Sequence, residues 1–258
     1  MKLQRGQYQF LMMGLLSTMM WGCQPTTEVP AEPQAAVESQ PKDLLLQVKN
    51  EKVALAQPQL CDMKECTRFD IQTLQTNVDW INAYFISRLE ALEPQAFKKQ
   101  DLVSLEGVNP EQLGLNQSHL HVRYLGQNQA LATFVLHSYN YSAGAAHGMY
   151  HNEYINFDLN QKKRFSLKDM IKKGKKQQFA EALYHANYTW LQEHQIALDQ
   201  LKLSDNFYYG SQGIVLVYPL YEMASYAEGM TELVLPYSLA KDLIQPVYLP
   251  VLPEYGTL

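Results

Sequence analysis

The chain has 258 residues, 21 basic and 26 acidic side chains, and a formal charge of −5. An acidic balance argues against nucleic acid as a main partner, because binding phosphates needs a basic face. The length allows one large domain, or two small subdomains sharing a core.

The first 22 residues read as an export signal. Lys2 and Arg5 supply positive charge, and an apolar run follows from Phe10 to Trp21. That run is short of the ~20 residues needed to span a bilayer comfortably. It ends in "TMMWGCQP", which resembles a bacterial lipobox with Gly22 before Cys23. The resemblance implies that Cys23 becomes the lipidated first residue of the mature chain, although Met20 and Trp21 depart from the usual pattern. The alternative is a soluble secretory signal with an incidental cysteine. Gln24 after the cysteine favours the outer membrane in a Gram-negative host. Without residues 1–22 the charge becomes −7, from 19 basic and 26 acidic side chains.

Residues 23–42 contain four prolines and three glutamates and almost no large apolar side chain. Such a segment cannot bury enough surface to fold. It reads as a tether reaching roughly 25–60 Å from a membrane surface. The folded part is expected over 43–245, as an N-terminal part (43–115) and a C-terminal part (116–245). An extended tail is expected over 246–258. Cys61 and Cys66 in "CDMKEC" are expected to form a disulfide, since exported proteins keep such bonds. A zinc pair is the rival, and a lone CxxxxC is weak for zinc.

Asp43–Leu60 reads as one or two strands. In "TLQTNVDWINAYFISRLEALEP" the residues Leu74, Val78, Ile81, Phe85, Leu89 and Leu92 recur at helical spacing before Pro94. Leu120, Val122 and Tyr124 alternate with His119, His121 and Arg123, which predicts a half-buried strand. "GQNQ" marks a turn and Ala130–Tyr139 the return strand. Ile155, Phe157 and Leu159 share one face of the next strand. Ser166 and Asp169 form a helix-start motif. A second helix is predicted over 176–194, with Phe179, Ala182, Leu183, Ala186 and Trp190 buried. The last third reads strand, short helix or turn, strand, short helix. The predicted fold is α+β, a largely antiparallel β-sheet packed with two main amphipathic helices.

"YNYSAGAAHG", "INFDLNQKKRFSLKDMI", "LYEMASYAEG" and "LVLPYSLAKDLI" stand in this order. Together they resemble the RsiV-like extracytoplasmic domain over about residues 50–245. Ala145 and the glycine-free turn "NQKK" depart from the family pattern. The family occurs in lysozyme-sensing anti-sigma factors and in accessory regions of peptidoglycan deacetylases. The resemblance implies a stand-alone, lipid-tethered version in the cell envelope. Its binding residues are expected among Tyr139, Tyr141, Ser142, Gly144, His147, Gly148, Tyr226 and Glu228. The expected partners are the membrane, through the lipid, and lysozyme or peptidoglycan. No cofactor is expected.

Catalytic readings find less support. His147 and His151 in "HGMYH" lie about 13 Å apart if they sit on one strand, too far for one ion. His119 and His121 share a strand face, but that face is polar and wet, so no metal ligands are assigned. "YGSQG" is not a nucleophile motif. Asp158 and Glu228 are the remaining candidates for paired carboxylates, and no spacing shows that they meet. An envelope glycan hydrolase or transferase, and a structural assembly component, stay open as alternatives. Lys162, Lys163, Arg164, Lys168, Lys172, Lys173, Lys175 and Lys176 form a basic cluster. It suits either an anionic partner or a solvated face.

Overall fold

The structure is a computed structural model that describes residues 44–99, 106, 109 and 113–252. The export signal, Cys23, the tether and the last six residues of the tail lie outside the described residues. Among the described residues no helix is long and apolar enough to cross a membrane.

The first layer is a seven-stranded sheet. Its strands are β1 (Val48–Lys52), β2 (Gln59–Cys61), β3 (Glu65–Thr76), β4 (Gly114–Asn128), β5 (Leu131–Tyr141), β6 (Met149–Asp158) and β7 (Lys163–Arg164). Their order is β1-β3-β4-β5-β6-β7, and β2 shares the β1 side of β3. All neighbours are antiparallel except β3 and β4. That parallel pair needs a crossover, which carries helix α1 (Asp79–Leu92) and the short helix α2 (Pro94–Phe97). Cys61 and Cys66 face each other across the β2–β3 hairpin and are joined by a disulfide.

Helix α1 covers one face of this sheet. Ile81, Phe85 and Leu89 are fully buried there. They meet Ile71, Leu120, Val122, Phe134 and Phe157 in one cluster. The rings of Phe85 and Phe134 stand 5.1 Å apart, and Trp80 meets Phe157 edge-on at 5.0 Å. The helix starts later than its apolar spacing predicts. Residues 73–76 continue β3, and Leu74 is buried from a strand. Thr73 and Thr76 favour strand backbone. Asn82 then fixes the switch: its Oδ1 accepts from Thr76 N–H and its Nδ2 donates to Thr76 C=O. Leu92, the last residue of the stripe, is exposed.

The β4–β5 turn also differs from expectation. Gly126 and Gln127 remain in β4, whose register slips between Tyr124 and Gly126, and the chain reverses at Gln129–Ala130. A bulge therefore absorbs part of the "GQNQ" signal.

The second layer is a three-stranded sheet of order β10-β9-β8, made of β8 (Phe207–Tyr209), β9 (Gly213–Tyr218) and β10 (Thr231–Pro236). With α3 (Leu167–Met170), α4 (Lys176–Ala186), α5 (Tyr188–Glu193) and α6 (Tyr237–Ala240) it builds a second core around Phe165, Phe179, Leu183, Phe207 and Leu235. Ser166 and Asp169 form the reciprocal cap of α3. The predicted helix over 176–194 is broken at Asn187. That side chain donates to Leu183 C=O and Val234 C=O and accepts from Val234 N–H. Ala186 is consequently exposed, whereas Tyr184 and Leu191 are buried. The segment expected as an extended tail begins with a short 3-10 turn, Pro246–Tyr248. Tyr248 is buried there, stacked on Phe165.

The two layers meet along β6. Thr133 Oγ1 donates to Asn156 Oδ1, and Asn156 Nδ2 donates to Phe207 C=O. Asn206 accepts from Tyr154 N–H and donates to Asn152 C=O. Tyr154 and Tyr208 stack at 4.5 Å. The fold is α+β, with one large and mostly antiparallel sheet and a second small one. The single sheet of the sequence expectation thus becomes two.

Candidate functional site

The stretch from Tyr139 to Tyr150 leaves β5, turns, and returns as β6. Gly144 takes a left-handed backbone, with φ of +81°. Ala145 N–H donates to Ser142 C=O, and Asn116 Oδ1 accepts from Ala143 N–H. Gly148 does not share the left-handed backbone of Gly144. It is buried beneath the Tyr139 ring, which occupies the space a Cβ would need.

His147 is exposed on this loop and stacks on Tyr226 with ring centroids 3.9 Å apart. The Tyr226 hydroxyl donates to Gly148 C=O at 2.9 Å. Tyr150 meets Tyr226 edge-on at 6.4 Å, and Tyr221 lies 5.8 Å from it. Tyr221 is 56% exposed. Two segments 78 residues apart therefore build one aromatic surface. Tyr139, Tyr150, His147 and Tyr226 form it, and Tyr221 extends it.

Glu228 ends the same 3-10 turn, Tyr226–Glu228. Its Oε1 accepts from the Ser225 N–H and hydroxyl, and its Oε2 lies 2.6 Å from His194 Nε2. The His194 and Ser225 hydrogen bonds hold the Glu228 carboxyl below its usual range. Trp190 C=O, and then Glu228, raise the His194 imidazole. The ring of His194 also stacks on Trp190 at 3.7 Å. Glu228 thus locks the Tyr226 turn onto α5 and faces His194 rather than a second carboxylate. Asp158 is 1% exposed, with Oδ1 accepting from Gln161 N–H in the β6–β7 turn. It stands eight residues along β6 from Tyr150, roughly 27 Å away. The structure does not bring the two carboxylates together.

Tyr141 lies opposite Gln117, two residues beyond Tyr139 on β5. Ser142 and Gly144 shape the loop rather than the aromatic surface. Sequence reasoning weighed Tyr150 and Tyr221 evenly between binding surface and strand, gave Trp190 to the buried stripe of a helix, and left out His194. Their aromatic character was the available signal, but their positions depend on how the two layers dock. It also left out Asp70, which the parallel register sets beside His119. Lys163, Lys168, Lys172, Lys173 and Lys176 of the basic cluster line a separate cleft of about 1110 Å³ with Asp169 and Asp205.

None of the curated proteins matches this chain. Among solved structures, the fold is similar to a DUF3298 family protein from Pseudomonas aeruginosa PAO1. It is 24% identical over 81% of this chain and 99% of that one, with a TM-score of 0.59. A DUF3298 family member from Bacteroides fragilis NCTC 9343 is 16% identical over 78% of this chain and 94% of that one, with a TM-score of 0.53. Both likenesses are of fold. The sequence likeness is carried by the stretch from the end of β6 to the start of α6: residues 158–238 match the family described as "Protein of unknown function (DUF3298)".

Proposed function

We propose that this chain is a lipid-tethered protein of the bacterial cell envelope whose folded part binds a ligand without chemistry. The ligand in this reading is cell-wall glycan or lysozyme. The observation that carries it is the His147–Tyr226 stack, which joins the "YSAGAAHG" and "YAEG" segments on one exposed aromatic surface. Tyrosine and histidine rings give large, stiff contact area with polar tips, which suits both sugar rings and a protein face. The net negative charge helps a basic partner such as lysozyme approach. The lipidation sequence at Cys23 places the tether and the domain outside the cytoplasm in this reading.

Immobilised protein is expected to retain purified peptidoglycan or lysozyme above a control lipoprotein. The paired change His147→Ala and Tyr226→Ala is expected to weaken retention by about tenfold or more, the scale of one aromatic hot spot. Retention of neither ligand, or retention indifferent to the paired change, overturns the reading. Labelling by a fatty-acid precursor that disappears in Cys23→Ser tests the anchor.

A further inference from the structure

On the sheet face away from α1, the parallel register of β3 and β4 sets Asp70 beside His119. His121 stands two residues later on the same face. Asp70 Oδ2 lies 3.6 Å from His119 Nδ1 and 3.4 Å from His121 Nε2. One ligand atom from each of the three lies within 4.8 Å of the others. Among the described residues this is the one group of three such side chains. We propose that Asp70, His119 and His121 form a binding site for a borderline divalent cation of the zinc class. The inference does not rest on the ligand-binding reading above.

Three features of the geometry support it. First, donors bound at about 2.0–2.1 Å around a tetrahedral ion are about 3.3–3.4 Å apart. Both carboxylate–imidazole distances already approach that value, and the ligand atoms of the two rings lie within 4.8 Å of each other. Second, two of the remaining atoms of the set are oriented by neighbours. The other nitrogen of His119, Nε2, lies 3.3 Å from Gln117 Oε1. With the proton on Nε2, the Nδ1 lone pair points toward Asp70. Gln72 Nε2 lies 3.5 Å from Asp70 Oδ1, leaving Oδ2 toward the rings. Partners of this kind, which fix tautomer and rotamer, accompany histidine ligands in metal sites. Third, all three side chains are about one-third exposed. Ions can therefore enter, and a fourth position is open to solvent or to an exogenous donor.

Two imidazoles and one carboxylate suit zinc, copper, nickel and iron, and not calcium or magnesium, which take oxygen ligands. The edge contact between His119 and Tyr139, with centroids 5.7 Å apart, puts His119 beside one ring of the aromatic surface.

Calorimetric titration of the untagged full chain in detergent with Zn²⁺ at neutral pH tests the proposal. One ion per chain is expected. Asp70→Asn, His119→Ala and His121→Ala should each weaken binding about a hundredfold, and Gln117→Ala about tenfold, the scale of an orienting partner. His185→Ala, an exposed histidine on α4, should leave the isotherm unchanged. Thermal unfolding checks that the variants fold: in chelator they should melt with the parent, and Zn²⁺ should raise the midpoints of the parent and of His185→Ala more than those of the Asp70, His119 and His121 variants. Co²⁺ in the parent should give the visible absorption of a four-coordinate ion, a readout that needs no variant. Absent Zn²⁺ binding, or binding unchanged in His119→Ala and His121→Ala, overturns the proposal.

Discussion

At Gly148 the absence of a side chain is what lets the Tyr139 ring lie down on the loop. Gly148→Ala is expected to push that ring aside, at about 1–3 kcal/mol, the range for overpacking. Chemical denaturation measures the loss, and the His147–Tyr226 stack beside it should loosen. A change in binding larger than the loss of stability would separate the surface from the fold. His194 and Glu228 allow a pH prediction. His194 is raised above 6.5, so its contribution is complete below 6.5 and is lost as pH rises through its folded value. Glu228 is lowered below 4.5, so its contribution is complete above 4.5 and is lost as pH falls through its folded value. The link between α5 and the Tyr226 turn should therefore be strongest between about 4.5 and 6.5. Proton resonances of His194, tracked by NMR, should titrate above 6.5, and Glu228→Gln should bring that titration down. An unchanged titration in Glu228→Gln would count against the pair. At this scale the residue types were readable in the sequence: His147, Tyr226 and Glu228 all stand in conspicuous segments. Long-range partners were not, because His194 carries no local mark that it faces Glu228, nor Asp70 that it faces His119 and His121.

Several elements are ended or edged by asparagine. Asn82, Asn128, Asn187 and Asn206 each use both amide atoms on backbone groups. One side chain with a donor and an acceptor imitates one residue of a neighbouring strand. Asn187 does this for Val234, and in doing so breaks the α4–α5 run. Asn187→Asp keeps the shape but replaces the donor by an acceptor facing Leu183 C=O and Val234 C=O. It is expected to cost about 1–3 kcal/mol, since a partly buried group loses its partner. The measurement is the urea midpoint, and a shift no greater than that of an exposed control such as Asn140 would refute the role. The helix at α1 shows what was legible at this scale. Ile81, Phe85 and Leu89 repeat at helical spacing and are buried as that spacing requires. Leu74 obeys the same spacing by accident, and strand pairing with β1 claimed it.

Across the whole molecule, two cores lie on opposite sides of the large sheet. Phe134 and Phe157 point toward α1, while Leu131 joins the second core. Thr133, Asn156 and the Phe207 carbonyl form the buried polar link between the layers. Asn156→Ala leaves that carbonyl without its donor in a dry place, and is expected to cost about 1–3 kcal/mol. Hydrogen exchange should then show faster opening of β8 than of β4. Equal acceleration in both strands would mean that the layers unfold as one unit through other contacts.

Alternation and helical spacing in the sequence determined the main strands, helix α1, the α3 cap and the α+β class, because each depends on which side of a short segment meets water. The aromatic and histidine character of the 139–150 segment was equally plain. The tertiary structure alone decided that there are two sheets, that Tyr226 lies on His147, and that Asp70 stands between His119 and His121. These are long-range pairings, set by strand register and by the docking of layers, and no periodicity within a segment encodes its partner's position.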